Sequence, residues 1–354
     1  MNPNFHSIIK EDKINQQDIF QRAANRLRTT VQNIEKDFWA CWTLDALFNG
    51  LPKDGARLLF KGGTSLSKAF SLISRFSEDV DITVFRQDIG QAASIEELEL
   101  LSGKKRRAYL DSIKDACQAY ISGPLLESFT SIVSRTMAEA GISQTRARVS
   151  LDEEDESGQT LLFWYPSILE APGEYVRSAI KIESGAKSAL EPHQAATIIP
   201  YIAADLENLD LRVDQVTTVS PERTFWDKII ILHGQRRWFE LRGELRHGGQ
   251  RVSRHYYDVF KLAESDIGKQ ALKNSTLGID CARHAQMFFF SASFDLEHAV
   301  PGTLSIVPTL AMISSLQQDY QAMANMIFGN VPSFEEILDS LSKLEKTINN
   351  ALSS

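Results

Sequence analysis

A chain of 354 residues, 43% of them apolar, can bury a substantial core, and its length suits two domains or one with long appendages better than a small peptide-binding module. A formal charge of -8 argues against wrapping DNA nonspecifically over the whole surface, while a local basic patch stays compatible with nucleic acid. Cys41, Cys117 and Cys281 are too scattered for a disulfide framework or zinc cluster, and no signal peptide or membrane-length apolar run is visible, so a soluble cytoplasmic protein is expected.

From Gln17 to Phe48 the apolar residues recur at helical spacing, through Ile34, Phe38, Cys41 or Trp42 and Leu47, until Asn49-Gly50-Leu51-Pro52 stops the pattern. Arg57 to Lys61 is an apolar run of strand length. Gly62-Gly63 follows at once, "SLSKAF" resumes helical spacing, and "DVDITVF" alternates with period two. Strand, glycine turn, helix and strand thus form one compact α/β unit with Asp79 and Asp81 near or on its second strand.

Ser94 to Ala140 predicts two helices broken at Gly123-Pro124. "TRARVS" and "TLLFWYPS" predict a hairpin whose acidic turn, "LDEEDESGQT", reads as solvated surface. Strands resume in "EYVRSAIKIES", "ATIIPYIA" and "QVTTV", giving a mixed or antiparallel sheet across residues 55–220 with helices on one side. At Ser220 the pattern turns helical, with Ser220 as cap, Pro221 in the first position and Phe225, Ile229 and Leu232 on the apolar face. "SRHYYDVFKLAES" predicts a further helix, and the C-terminal third reads as mostly helical. The expected class is α+β, with an N-terminal helical region (1–54), an α/β domain (55–220) and a helical C-terminal domain (221–354).

The glycine pair lets the backbone turn without side-chain obstruction, and Thr64 and Ser65 can cap the next helix with amides and hydroxyls facing an anion such as phosphate. A purely structural turn reads equally from these residues alone, and neither a Walker A loop nor a GxGxxG fingerprint is present. Asp79 and Asp81, two apart on a strand, share a face and could converge on divalent ions, whereas solvated acids on an edge strand are the simpler alternative. Glu183, at the end of "AIKIE", is a candidate third carboxylate or a surface salt-bridge partner. Lys228 lies in an apolar helix, and Arg254 and Asp258, four apart, share a helix face. Between Gln235 and Arg254, arginines with Trp238 and Phe239 form a local basic and aromatic stretch suited to RNA, or a solvated hairpin whose arginines pair with acids.

Taken together, "FKGGTSLSK", "RFSEDVDI", "IKIESGAKS", "VSPERTFWDKIIILH" and "SRHYYDVFKL" resemble, in this order, the AbiEii/AbiGii toxin family of nucleotidyltransferases, over about residues 35 to 265. That resemblance implies a polymerase-beta-like fold with a helical partner domain contributing to the active site. It also implies magnesium-dependent transfer of a nucleoside monophosphate from a triphosphate, and a toxin role in a toxin–antitoxin or phage-defence system, with an antitoxin encoded beside it and tRNA as a candidate acceptor. Gly63 and Ser65 match the phosphate-holding positions, with Gly62 and Thr64 beside them, and Asp79 and Asp81 match the metal-binding acids. Lys228 matches the lysine facing the nucleotide, and Asp258 the acid of the last motif. His255 stands where the family often has Asp, which leaves Asp258 as the better candidate. A catalytically silent binding protein and a phosphotransferase moving the γ-phosphate are the alternatives that these motifs leave open.

Overall fold

The computed structural model describes residues 1–169 and 178–350. Helices α1 (Asn4–Ile9), α2 (Lys13–Leu27) and α3 (Val31–Asp45) lead into strand β1 (Leu58–Lys61) and helix α4 (Gly62–Lys68). Strand β2 (Val80–Val84), the short α5 (Ile95–Glu99), α6 (Gly103–Tyr120) and α7 (Leu126–Glu139) follow. Strands β3 (Arg148–Leu151), β4 (Thr160–Trp164), β5 (Ala179–Glu183), β6 (His193–Ile198) and β7 (Val213–Val219) come next. The rest is helical: α8 (Pro221–Arg242), α9 (Ser253–Glu264), α10 (Asp266–Lys273), α11 (Ser275–Phe288), α12 (Leu310–Ala324) and α13 (Phe334–Asn350).

The chain divides into two units. The first comprises Met1–Phe70, Phe76–Ala93 and Gly103–Val219; the second comprises Ser71–Arg75, Ser94–Ser102 and Ser220–Ser354. The first holds a seven-stranded sheet in the order β3-β4-β5-β2-β1-β7-β6. Strand β1 pairs parallel with β7, and β2 parallel with β5, while the other neighbours are antiparallel. A mixed sheet with helices makes this an α+β protein.

Alternation along the central strands sets the two sheet faces. Phe163, Ile180, Ile182, Val80 and Ile82 lie on one face and are buried. Helix α3 covers that face: Trp42 packs on Phe163 at 5.2 Å and Trp39 stacks on Tyr165 at 5.6 Å. Phe129 of α7 meets Phe163 edge-on at 5.7 Å. Burying such aromatics is worth about 2–3 kcal/mol each, and Asp81, Lys181 and Glu183 are left for the opposite face.

Two expectations need correction. The helical stretch from Gln17 to Phe48 is two helices, because Arg28 takes the left-handed conformation (φ 54°) that ends α2 and Thr30 caps α3 through Asn33 N–H. At Gly123-Pro124 the chain does not break. Residues Ile121–Leu125 form one wide helical turn that accommodates Pro124 between α6 and α7. The predicted strand "EYVRSAIKIES" is observed as Ala179–Glu183, its first residues lying outside the described ones.

In the second unit α8 buries Phe225, Ile229 and Leu232 as its spacing predicts. Its first turn lacks a bond from the Ser220 side chain; the Ser220 carbonyl accepts from Thr224 N–H instead. Helix α11 approaches α8 at Gly278, where a β-carbon would stand 2.9 Å from the Trp226 ring. All three cysteines are buried free thiols. Among the described residues no helix is long and apolar enough to cross a membrane.

Candidate active site

In the first unit the junction of β1 and α4 meets the acid segment that enters β2. Gly62 has φ +81°, and a methyl group there would collide with the Asp81 carboxylate, so glycine is required both by the turn and by the approach of the acid. Gly63 lies within α4. The Thr64 hydroxyl donates to the Asp79 carbonyl and shares a 2.7 Å bond with the Ser77 hydroxyl, while the Ser65 hydroxyl donates to the Gly62 carbonyl at 2.9 Å. Both residues are buried. The expectation that these hydroxyls face an anion is therefore corrected: enclosed hydroxyls take the nearest carbonyls, and the pair braces the turn against the acid segment.

Asp79 directly precedes β2 and Asp81 lies within it. Strands β2 and β5 pair in parallel with Asp81 opposite Glu183, so both side chains rise from one sheet face. Glu183 is ion-paired with Lys181 at 2.9 Å, and Lys181 also lies 3.9 Å from Asp152. Burial, together with Glu78, Glu183 and Asp81, pushes the Asp79 carboxyl up to about 6, and Lys36 opposes this only in part. The neighbouring acids thus outweigh Lys36 in their effect on the Asp79 carboxyl. The donors of the cluster are hard oxygens, the type a divalent cation takes when phosphates complete its coordination. Among the described residues no three His, Cys, Asp or Glu side chains already form a metal cage.

Three charged residues of α3, Glu35, Lys36 and Asp37, are buried in mid-helix, and each anchors a different segment. Glu35 accepts from Ile168 N–H at 2.7 Å and from the Ser167 hydroxyl at 2.8 Å. Lys36 binds Glu78 at 2.7 Å, next to Asp79. Asp37 pairs with Lys68 at the end of α4 and accepts from Tyr201 N–H at 2.7 Å. The Tyr201 ring covers the Lys68 ammonium at 3.2 Å. Burial opposes charge on Lys68, but Asp37 and Tyr201 more than restore it and hold the ammonium above its ordinary value. Adjacent residues of one helix thereby fix both the acid segment and the glycine-turn helix. The sequence reading missed them, although three successive charges just ahead of the apolar run 38–42 spread over more than half of the helix circumference.

The second unit holds Lys228 and Asp258 together. Lys228 Nζ lies 2.8 Å from Asp258 Oδ2, and Arg75 grips the same carboxylate with Nε on Oδ1 at 2.8 Å and Nη2 on Oδ2 at 2.9 Å. Asp258 is fully buried, and Arg75 and Lys228 are nearly so. Burial alone would raise Asp258, yet Arg75 and Lys228 hold it well below the usual carboxylate range. Burial, with Arg75 and Arg254, lowers Lys228 despite Asp258. His255 is kept neutral, since burial and then Lys228 and Arg254 lower it well below its ordinary value. Its Nδ1 is buried without a hydrogen-bond partner among the described residues.

The basic stretch is divided. Arg236 pairs with Glu240 at 2.9 Å and donates to the Val307 carbonyl at 2.8 Å, and Arg237 pairs with Glu240 at 2.9 Å and Asp295 at 3.3 Å. Arg242 is exposed and lies over the Trp238 ring at 5.2 Å, and Arg246 lies over Trp238 at 5.5 Å and Phe294 at 4.9 Å. These two arginines, unlike Arg236 and Arg237, pair with rings rather than acids.

A family model described as nucleotidyl transferase AbiEii toxin, type IV TA system, matches residues 45–340. No curated protein matches the chain. Among solved structures, MenT4, a nucleotidyltransferase toxin from Mycobacterium tuberculosis H37Rv, aligns over 94% of this chain and 98% of its own, at 12% identity and a TM-score of 0.38.

Proposed function

The chain belongs to the AbiEii nucleotidyl transferase toxin family of type IV toxin–antitoxin systems, and from that premise we propose that it uses magnesium to transfer a nucleoside monophosphate from a triphosphate to tRNA. It is a nucleotidyltransferase, and its family implies an antitoxin partner. In the cell it acts in the cytoplasm as a toxin held in check by that antitoxin, and its release serves phage defence.

The reaction is in-line attack by an RNA hydroxyl on the α-phosphorus; the bond to the bridging oxygen breaks and pyrophosphate leaves. Magnesium, when bound, supplies charge neutralisation on the phosphates and eases ionisation of the attacking hydroxyl. Asp79, Asp81 and Glu183 are the residues that would hold it. Glu183 is also the carboxylate that takes the hydroxyl proton. Backbone amides of Gly63, Thr64 and Ser65 at the start of α4 bind phosphate oxygens across the turn opened by Gly62. Lys228 opposes the charge that grows on the leaving pyrophosphate, and Asp258 orients its ammonium.

The observation that carries this reading is the pairing of Asp81 with Glu183 on adjacent strands, with Gly62 against the Asp81 carboxylate. Incubation with each α-labelled triphosphate and total cellular RNA, followed by sequencing of the labelled species, tests it. Label in tRNA with one nucleotide is the expected result. Label confined to protein, or none, contradicts the RNA acceptor, and transfer from a γ-labelled triphosphate contradicts nucleotidyl transfer. Expression without the antitoxin is expected to slow bacterial growth.

A further inference from the structure

Asp152, Thr160, Glu183 and Asp81 stand in one row across the sheet of the first unit. The Asp152 amide donates to the Thr160 carbonyl at 2.9 Å, which carries the β3–β4 hairpin one step past β3; Thr160 lies opposite Glu183, and Glu183 opposite Asp81. Opposed residues of neighbouring strands share a face, and Lys181, two residues before Glu183 on β5, shares it too. Its ammonium stands between two carboxylates, 2.9 Å from Glu183 Oε1 and 3.9 Å from Asp152 Oδ2.

Those two acids are held differently. The Glu183 side chain is 43% exposed, whereas that of Asp152 is 7% exposed and is fixed by Glu154 N–H, which donates to Asp152 Oδ1 at 3.1 Å. An ion pair as exposed as Lys181 with Glu183 is weak and opens readily. Rotation about the terminal bonds of the long lysine stem is enough to bring the ammonium onto Asp152 Oδ2 instead. The lysine thus has one partner that can turn to another ligand and a second that stays in place.

We propose that Lys181 regulates metal loading of the acid edge: in the metal-free protein its ammonium holds Glu183, and magnesium displaces it to Asp152, so that the lysine sets the metal affinity of the site. This rests on the reading that Glu183 is a magnesium ligand. Lys181 acts through Glu183 and touches no reacting atom.

The test titrates the full-length protein with magnesium chloride alone, following the Lys181 ammonium, the Glu183 amide and the Asp152 carboxyl carbon by NMR, beside Lys181→Met and Lys181→Arg. Lys181→Met is expected to bind magnesium about fivefold more tightly, since the competing charge is gone, while Lys181→Arg keeps the charge and gains no affinity. In the unmodified protein the Lys181 and Asp152 signals should shift in step with the Glu183 amide. Unchanged or weaker magnesium affinity in folded Lys181→Met overturns the proposal, as does a gain of affinity in Lys181→Arg equal to that in Lys181→Met. If Lys181→Met does not fold, the unmodified protein decides: an ammonium signal that saturates together with the Glu183 amide supports displacement, and an unmoved one overturns it. Magnesium that leaves the Glu183 amide unmoved in every protein removes the reading of Glu183 as a ligand and the proposal with it, whereas binding registered at Glu183 without tightening in Lys181→Met removes the proposal alone.

Discussion

The acid edge of the first unit and the cation cluster of the second handle their charges in opposite ways. At the acid edge Lys36 pairs with Glu78 and Lys181 with Glu183, and burial together with Glu78, Glu183 and Asp81 pushes the Asp79 carboxyl up to about 6. In the cation cluster Arg75 and Lys228 hold Asp258 ionised, while burial and the neighbouring cations lower Lys228 and His255. The proposed function assigns the metal ion to the first region and the phosphate chain to the second. The difference also fixes opposite pH behaviour. Asp79, raised when folded, contributes stability that is present below about pH 4 and lost as pH rises through about 6, whereas Asp258, depressed when folded, contributes stability above its unfolded value that is lost only in strong acid.

The largest expected effect breaks the acid edge: Asp81→Ala should lower transfer at least about 10³-fold while the protein remains folded, as circular dichroism and turnover assays would show. Full transfer by that variant would detach the acids from the chemistry. Breaking the other region should cost stability as well. Asp258→Asn leaves Arg75 and Lys228 buried without their carboxylate, a loss of about 3–5 kcal/mol by denaturant titration, steady from pH 5 to 8 and shrinking below about pH 4.

The contrast sharpens if removing a charge stabilises. Asp79→Asn should raise the stability of metal-free protein at pH 8 by about 2 kcal/mol and by little at pH 4, read from melts in chelator. Equal stability of the two proteins at pH 8 would mean that Asp79 is already compensated. The smallest effect concerns the basic stretch. Arg242→Glu with Arg246→Glu should weaken RNA binding about tenfold and flatten its salt dependence, whereas charge reversal at Arg236 and Arg237 should act mainly on stability through their lost acid partners. Equal binding losses from the two pairs would reject that division.

Local periodicity made the scaffold readable in advance. The β1, α4 and β2 unit, the β3–β4 hairpin and the Pro221 helix start were all legible because alternation and turn residues act over few positions. Glu183 could be named as a candidate, but its place opposite Asp81 depends on the parallel pairing of strands far apart in sequence. Arg75, Lys36, Asp37 and Lys68 were passed over for a related reason: a charged residue reads as surface until a distant partner justifies burying it. The break at Arg28 was hidden because a non-glycine residue took the left-handed conformation. Thr64 and Ser65 looked like anion ligands because their hydroxyls' acceptors, the carbonyls of Gly62 and Asp79, carry no side-chain signal.

The central claim is that the carboxylates on the Asp81 and Glu183 face serve nucleotidyl transfer, and mass analysis of the products of one incubation tests it most directly. Protein, magnesium, a triphosphate and total RNA should yield RNA heavier by one nucleoside monophosphate together with pyrophosphate, and neither product should form with Asp81→Ala. RNA of unchanged mass, acceptor heavier by a single phosphate with diphosphate released, or undiminished product from Asp81→Ala would contradict the account.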